Sequence, residues 1–234
     1  MTMLTVTEFA KHFDTAFLNP SLTESEIRKQ ARIAKDLGVA TLYTNTVWTP
    51  VVAEELRGSG VNVGAACSFP HGANSLAMKI AEIDEVVAKG ATSIDLVLNT
   101  GAIKGGDWGL IKKETEALRE HAGTNLAKCI IETCFLTDDE LVRVTKMCSD
   151  AGIDFAKSGS NVQGKSEDYR VRLMLDSVSG KTKVKVSALP DTFMMAAILW
   201  MIDEGVVLFG TMWSEQRINE YRNYLSWRDN RNKK

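Results

Sequence analysis

Short apolar runs and amphipathic stretches alternate from one end of the chain to the other, and this limits the folds open to it more than any other feature. The apolar runs fall at 13–18, 39–45, 61–67, 93–99, 127–133, 153–158, 182–187 and 206–210. Between them lie stretches of helical period, after a first helix over 5–12. Several of these carry their own start and stop signals. Thr23 with Glu26 three residues on is a capping box, and the helix it opens stops at Gly38. Thr49-Pro50 opens a helix that ends near Gly58. Helices follow over 75–89 (closed by Gly90), 109–121, 137–151 (capped by Thr137, closed by Gly152), 166–178, 191–204 and 215–225, while 101–107 reads as a glycine-rich loop. Strands alternating with helices predict βαβ units and a parallel sheet. Eight such units in 234 residues fit a single (β/α)8 TIM barrel spanning 1–234, within the α/β class. The rival is a doubly wound open sheet, but the glycine fingerprint of its first turn is missing, and Gly101 to Gly106 lacks the GxGxxG spacing.

Hydrophobic residues make up 44% of the chain, enough for one full core with no linker dividing it. A formal charge of -2 with no basic stripe argues against nucleic acid as a partner. The one charge bias, at 228–234, reads as a frayed basic tail. No apolar run is long enough to span a membrane, and no secretory signal is visible. Cys67, Cys129, Cys134 and Cys148 are scattered without a CxxC pair and read as reduced, partly buried thiols in a cytoplasmic protein. The expected partners are a small-molecule substrate and copies of the same chain, as a homodimer or higher homo-oligomer.

In a barrel the reactive groups sit at the C-terminal strand ends. Here those ends carry Asp14, Asn45, Cys67, Asp95 with Asn99, Glu132 with Thr133, Lys157, Lys185 with Ser187, and Gly210. Period 2 sorts the faces. Ser93, Asp95, Val97 and Asn99 share the inner face of their strand, with Ile94, Leu96 and Leu98 outside. Likewise Lys183, Lys185 and Ser187 point inward, as do Lys128, Ile130 and Glu132. Lys157 closes the run Ile-Asp-Phe-Ala-Lys, where burial disfavours its charged form. A solvated lysine at a strand end is the plain alternative, and a structural carboxylate paired to a lysine is the plain reading of Asp95. Two inward lysines beside one carboxylate fit a Schiff-base site better. A lysine at its ordinary pKa of about 10.4 is neutral in only a few molecules per 10,000 at pH 7. A second ammonium about 4 Å away can supply the roughly 4 kcal/mol needed to bring it near 7. Lys185 can thus activate Lys157 by repulsion, with desolvation helping.

Other chemistries have less support. His12, His71 and His121 lack ligand spacing, so no metal site is expected. Cys67 and Cys134 have no paired histidine and read as buried structural thiols. Tyr43 and Trp48 near the second strand end are as compatible with packing as with substrate contact.

Residues 128–140 read Lys-Cys-Ile-Ile-Glu-Thr-Cys-Phe-Leu-Thr-Asp-Asp-Glu. With Ser-Phe-Pro-His-Gly-Ala at 68–73, Ile-Asp-Leu-Val-Leu-Asn-Thr-Gly-Ala at 94–102, Asp-Phe-Ala-Lys-Ser at 154–158 and Val-Lys-Val-Ser at 184–187, they form an ordered set of motifs. From about residue 13 to 211 the chain resembles deoxyribose-phosphate aldolase, a class I aldolase of the (β/α)8 type. The resemblance implies a Schiff-base lysine at Lys157, a second, pKa-lowering lysine at Lys185 and a proton-relay aspartate at Asp95. It implies reversible cleavage of a 2-deoxy sugar phosphate to acetaldehyde and glyceraldehyde 3-phosphate, in carbohydrate catabolism and without a cofactor. The remaining polar groups at the strand ends and their loops, Asp14, Asn45, Thr133, Ser158, Ser160, Ser187 and Gly210, are the expected substrate contacts.

The departures fall where the family binds phosphate. Ser-Gly-Gly-Ile-Arg after the seventh strand is here Ser187-Ala-Leu-Pro-Asp191. Small hydroxyl residues after the eighth strand are replaced in Gly210-Thr-Met-Trp213, and Thr-Ser-Thr-Gly after the Schiff-base lysine is Ser158-Gly-Ser-Asn161. An amide nest needs flexible backbone, which leucine and proline oppose, and Asp191 repels an anion. Ser160, Gln163, Lys165 or Arg217 could rebuild an anion site. Lys183 either offsets Asp95 or Glu132 or sits in solvent at the bottom rim. The family's tyrosine tail is not recognisable, and Tyr221 and Tyr224 belong to a terminal amphipathic helix. Two alternatives stay open: a Schiff-base lyase for an unphosphorylated or other aldehyde, and a non-catalytic barrel that binds.

Overall fold

The apolar runs pair into one closed parallel barrel, strand by strand in sequence order, with the last strand returning to the first. The structure, a computed structural model, describes residues 3–188 and 195–231. Its order is α1 (Val6–Ala10), β1 (Phe13–Phe17), α2 (Glu24–Leu37), β2 (Thr41–Asn45), α3 (Thr49–Glu55), β3 (Asn62–Cys67), α4 (Leu76–Ala88) and β4 (Ser93–Val97). Then come α5 (Thr100–Lys104), α6 (Trp108–Ala122), β5 (Leu126–Ile130), α7 (Asp138–Asp150), β6 (Phe155–Lys157), α8 (Asp168–Ser177), β7 (Lys183–Val186), α9 (Met195–Asp203), β8 (Leu208–Thr211) and α10 (Ser214–Arg231). This is a (β/α)8 TIM barrel.

Local signals set many of the boundaries. Thr23 and Glu26 form the capping box of α2, and Gly38 takes the left-handed conformation that ends it. The outward strand residues Ile94, Leu96, Ala127, Cys129, Ala156, Val184 and Val186 join the helices in one apolar core, which leaves the inward faces free for polar groups. Register then aligns those groups. Asp95 lies opposite Lys128, and Lys157 opposite Lys185.

Some boundaries differ from the sequence reading. The glycine-rich 101–107 stretch contains α5, because Asn99 leaves the strand pattern and caps it, accepting from Ala102 N at 2.9 Å. The fifth strand stops at Ile130. Glu132 has φ 56°, left-handed backbone that no strand contains, and a short 3-10 turn over Thr133–Phe135 follows. Lys183 is exposed, so of its two expected places it takes the rim. The terminal helix runs on to Arg231 through most of the expected frayed tail, anchored by buried Tyr221, whose hydroxyl donates to Leu4 O at 2.7 Å. Residues 232–234 of that tail lie outside the described residues, as do Leu189, Pro190 and Asp191 and the expected start of the helix that follows them.

Candidate active site

At the centre of the barrel five buried charges form one chain. Lys157 Nζ donates to Asp95 Oδ2 at 2.9 Å, and Lys185 Nζ donates to the same oxygen at 2.8 Å. Lys185 Nζ also lies 2.7 Å from Asp14 Oδ2, which accepts from Lys128 Nζ at 2.6 Å. Three ammonium groups thus face two carboxylates, in a place where each charge would be costly alone. Lys157 is the most exposed member, 7% of its side chain against 1% or less for the others. It is therefore the amine nearest to solvent.

The charges do not titrate alike. Burial pushes Lys157 down to about 8; Asp95 opposes this, and the Lys185 ammonium adds to it. Near pH 7 roughly a tenth of such an amine is neutral, against a few in 10,000 for an ordinary lysine. Burial also pulls on Lys185, but Asp14 and Asp95 outweigh it and hold that group above its usual value. Asp95 is held far below the usual carboxylate range: burial works against this, and Lys157, Lys185 and Lys128 overcome it. Environment thus splits two lysines of like chemistry into a titratable amine and a permanent cation. Burial is the larger cause of the Lys157 shift, and repulsion by Lys185, expected to lead, comes behind it.

The other residues singled out in the sequence are placed as follows. Asp14, expected as a substrate contact, is fully buried and committed to Lys128 and Lys185. Gly210 packs against that network. A β-carbon there would collide with Ser187 Oγ and lie 3.2 Å from Lys185 Cε, so glycine leaves room for the Ser187 hydroxyl beside the Lys185 stem. Ser158 Oγ donates to Ser187 O at 2.8 Å and accepts from Ser187 N at 3.0 Å, which ties the ends of β6 and β7 together. Ser187 Oγ and Asp95 Oδ1 are buried without a hydrogen-bond partner among the described residues. Ser160 N donates to Glu132 Oε1 at 2.8 Å, and Thr133 Oγ1 meets Ser166 Oγ at 3.2 Å. Asn45 is half-buried, its side chain donating to Leu18 O at 3.3 Å. Of the residues weighed for an anion site, Gln163 meets His71 Nδ1 at 2.7 Å, Lys165 donates to Asn161 Oδ1 at 2.7 Å and Arg217 to Glu220 at 2.8 Å. Cys67 is buried as expected, but Cys134 is exposed.

The sequence reading placed Lys128 inside but gave it no role. Its place opposite Asp95 follows from strand register, which only the structure gives. Glu132 was read as a strand residue. It instead lies in the turn beyond β5, 1% exposed, with burial raising its carboxyl pKa.

No family model matches the chain. Curated relatives do. The deoxyribose-phosphate aldolase of Bacillus cytotoxicus is 37% identical over 180 residues, 76% of this chain and 81% of that protein. Deoxyribose-phosphate aldolase 1 of Mesoplasma florum is 32% identical over 202 residues, 86% of this chain and 91% of that protein. Among solved structures, a candidate deoxyribose-phosphate aldolase from Coccidioides immitis superposes with a TM-score of 0.88 at 26% identity, covering 95% of this chain and 88% of that one. The tetrameric deoxyribose phosphate aldolase of Aeropyrum pernix shares the fold, with a TM-score of 0.83 at 21% identity over 93% of this chain and 92% of that one. Relatives above 30% identity cover most of both chains, and the solved structures share the barrel described above: the chain belongs to the deoxyribose-phosphate aldolase family.

Proposed function

We infer that the protein is a class I aldolase, an aldehyde-lyase that cleaves and forms a carbon–carbon bond through an imine on Lys157. The observation that carries this is the pairing of Lys157 and Lys185 on one oxygen of Asp95, with Lys157 the depressed, most exposed amine. In the cleavage direction neutral Lys157 attacks the aldehyde carbon of an open-chain 2-deoxy sugar. Loss of water leaves a protonated imine at that carbon, an electron sink. The C3 hydroxyl gives up its proton, the C2–C3 bond breaks, and its electron pair moves into the imine to form an enamine. Proton return to C2 and hydrolysis release acetaldehyde and free the lysine. Asp95, kept ionised by its lysines, is suited to relay these protons. Lys185 stays charged throughout and opposes protonation of its neighbour.

Acetaldehyde release from a panel of phosphorylated and free 2-deoxy sugars tests this reading. Release from at least one, lost in Lys157→Leu, supports it. No release from any favours a barrel that only binds.

A second reading concerns the acceptor. Beyond β8, Met212 and Trp213 are 53% and 47% exposed where the family carries small hydroxyl residues, and Thr211 Oγ1 already accepts from Trp213 N at 3.0 Å. This favours an unphosphorylated aldehyde. The free thiols and the absence of a membrane-length apolar helix among the described residues are compatible with a cytoplasmic setting. Homo-oligomers are the assembly we propose, by analogy with the tetrameric relative.

A further inference from the structure

Tyr43 is among the largest fully buried side chains of the protein, and it lies within the charge network, not in the apolar core. Its ring centroid is 4.0 Å from Lys185 Nζ, 5.3 Å from Lys128 Nζ and 5.9 Å from Lys157 Nζ. Two features fix the ring in place. Its hydroxyl meets Ser93 Oγ at 2.7 Å, at the start of β4. Its register partner on β3 is Gly64, where a β-carbon would lie 2.7 Å from Tyr43 Cγ and Cδ1. The neighbouring strand has thus given up a side chain to admit the ring.

Asp14 Oδ1 and Asp95 Oδ1 are buried without partners among the described residues, and three ammonium groups lie beside them. A space with that lining would hydrate if it were open. The aromatic face substitutes in part for lost hydration, because its quadrupole attracts the cations above it. The barrel interior around these charges is therefore polar in its lining, with the Tyr43 ring against all three lysines and the Phe155 ring 4.8 Å from Lys128 Nζ alone.

We propose that Tyr43 is a positioning residue for the amine chemistry: its ring is the dry plug that keeps water from Lys157 and holds Lys185 against its two carboxylates. This rests on Lys157 being the imine-forming lysine. The groups facing Lys157 and Lys185 are Asp14 from β1, Tyr43 from β2, Asp95 from β4, Lys128 from β5 and Glu132 just beyond β5, with the Cys67 thiol of β3 near Asp95. Gly210 brings no charge from β8. Apart from Tyr43 itself, none of these groups is replaced when the ring is removed. What changes is solvent access, and since burial is the leading cause of the low Lys157 value, admitting water returns that value toward 10.5.

The experiment is the pH dependence of cyanoborohydride trapping of acetaldehyde on the Lys157 peptide, read by mass spectrometry for wild type, Tyr43→Phe, Tyr43→Leu and Tyr43→Ala. Tyr43→Phe keeps the ring and should keep the midpoint within a few tenths of a unit. Tyr43→Ala should move it to higher pH by about one unit or more, which is about tenfold less neutral amine at pH 7. Tyr43→Leu should fall between, and it carries the test if the alanine variant does not fold. A purely structural role would lower the melting temperature without moving the midpoint. An unmoved midpoint in folded Tyr43→Leu or Tyr43→Ala overturns the proposal, and so does a Tyr43→Phe shift as large as that of Tyr43→Leu. Failure of the underlying reading looks different: wild type then gives no adduct on Lys157 at any pH.

Discussion

Lys157 and Lys185 stand opposite each other on β6 and β7 and donate to the same carboxylate oxygen, Asp95 Oδ2, at 2.9 and 2.8 Å. Sharing one acceptor keeps the two nitrogens within about 6 Å. At an effective dielectric near 20, like charges at that separation repel by roughly 3 kcal/mol, equivalent to about two pH units. Burial bears on both residues, yet Asp14 serves Lys185 directly and leaves Lys157 the weaker claim on a proton.

The first prediction follows from that pairing. In wild type the rate of imine formation should rise with pH through about 8, as Lys157 loses its proton. In Lys185→Leu the repulsion is gone and Asp95 is left to Lys157 alone, so the rise should move to higher pH by one to two units, a loss of about 10- to 100-fold at pH 7. A pH profile of single-turnover trapping measures this. An unchanged profile would mean that Lys185 does not tune Lys157.

Asp95→Asn separates protonation from proton transfer. Removing the carboxylate takes away the charge that favours the Lys157 ammonium, so the midpoint should move to lower pH while turnover still falls. The expected fall in kcat is about 10²–10⁴-fold, the usual contribution of a general acid–base group. Faster trapping with slower turnover is the signature. Wild-type turnover across pH 6 to 9 would remove Asp95 from the mechanism.

Part of this network is legible in the sequence and part is not. Period 2 turns Asp95 and Lys185 inward, because a parallel barrel buries both faces and the apolar neighbours Ile94, Leu96, Val184 and Val186 must pack against helices. The same rule runs the fourth and fifth strands on through Asn99 and Glu132, which lie beyond the strand ends, where capping and left-handed backbone set direction. Asp14 was visible as a strand-end carboxylate, but its commitment to Lys128 and Lys185 bridges residues over 100 positions apart and has no local signal. Tyr43 was ambiguous for a related reason. An aromatic on a strand looks the same whether it fills a core or plugs a charged interior, and only the missing side chain at Gly64, across the sheet, marks the difference.

Lys128 tests the energetics of the network. Lys128→Met leaves Asp14 with one cation where it had two, and unpairing a buried charge costs about 3–5 kcal/mol. Because Lys185 remains, the lower end of that range is expected in urea unfolding. Adding Asp14→Asn should recover part of the loss. A single variant as stable as wild type would show that the Lys128–Asp14 pair contributes nothing to holding the barrel together.

The acceptor prediction compares kcat/KM for deoxyribose 5-phosphate and free deoxyribose. Each lost charge-assisted hydrogen bond costs about 1.5–3 kcal/mol, so replacing the phosphate-binding positions should cut the phosphate preference by several tenfold steps. A ratio near unity, or one favouring the free sugar, is expected. A phosphate preference of about 1,000-fold or more would show an intact anion site and return the protein to the ordinary activity of its family.

The most direct test of the account is borohydride reduction of the protein with acetaldehyde, followed by peptide mass spectrometry. One two-carbon adduct is expected, on the peptide carrying Lys157 and absent from Lys157→Leu. An adduct on Lys185 or Lys128 in its place, or an active enzyme that traps no adduct, would contradict it.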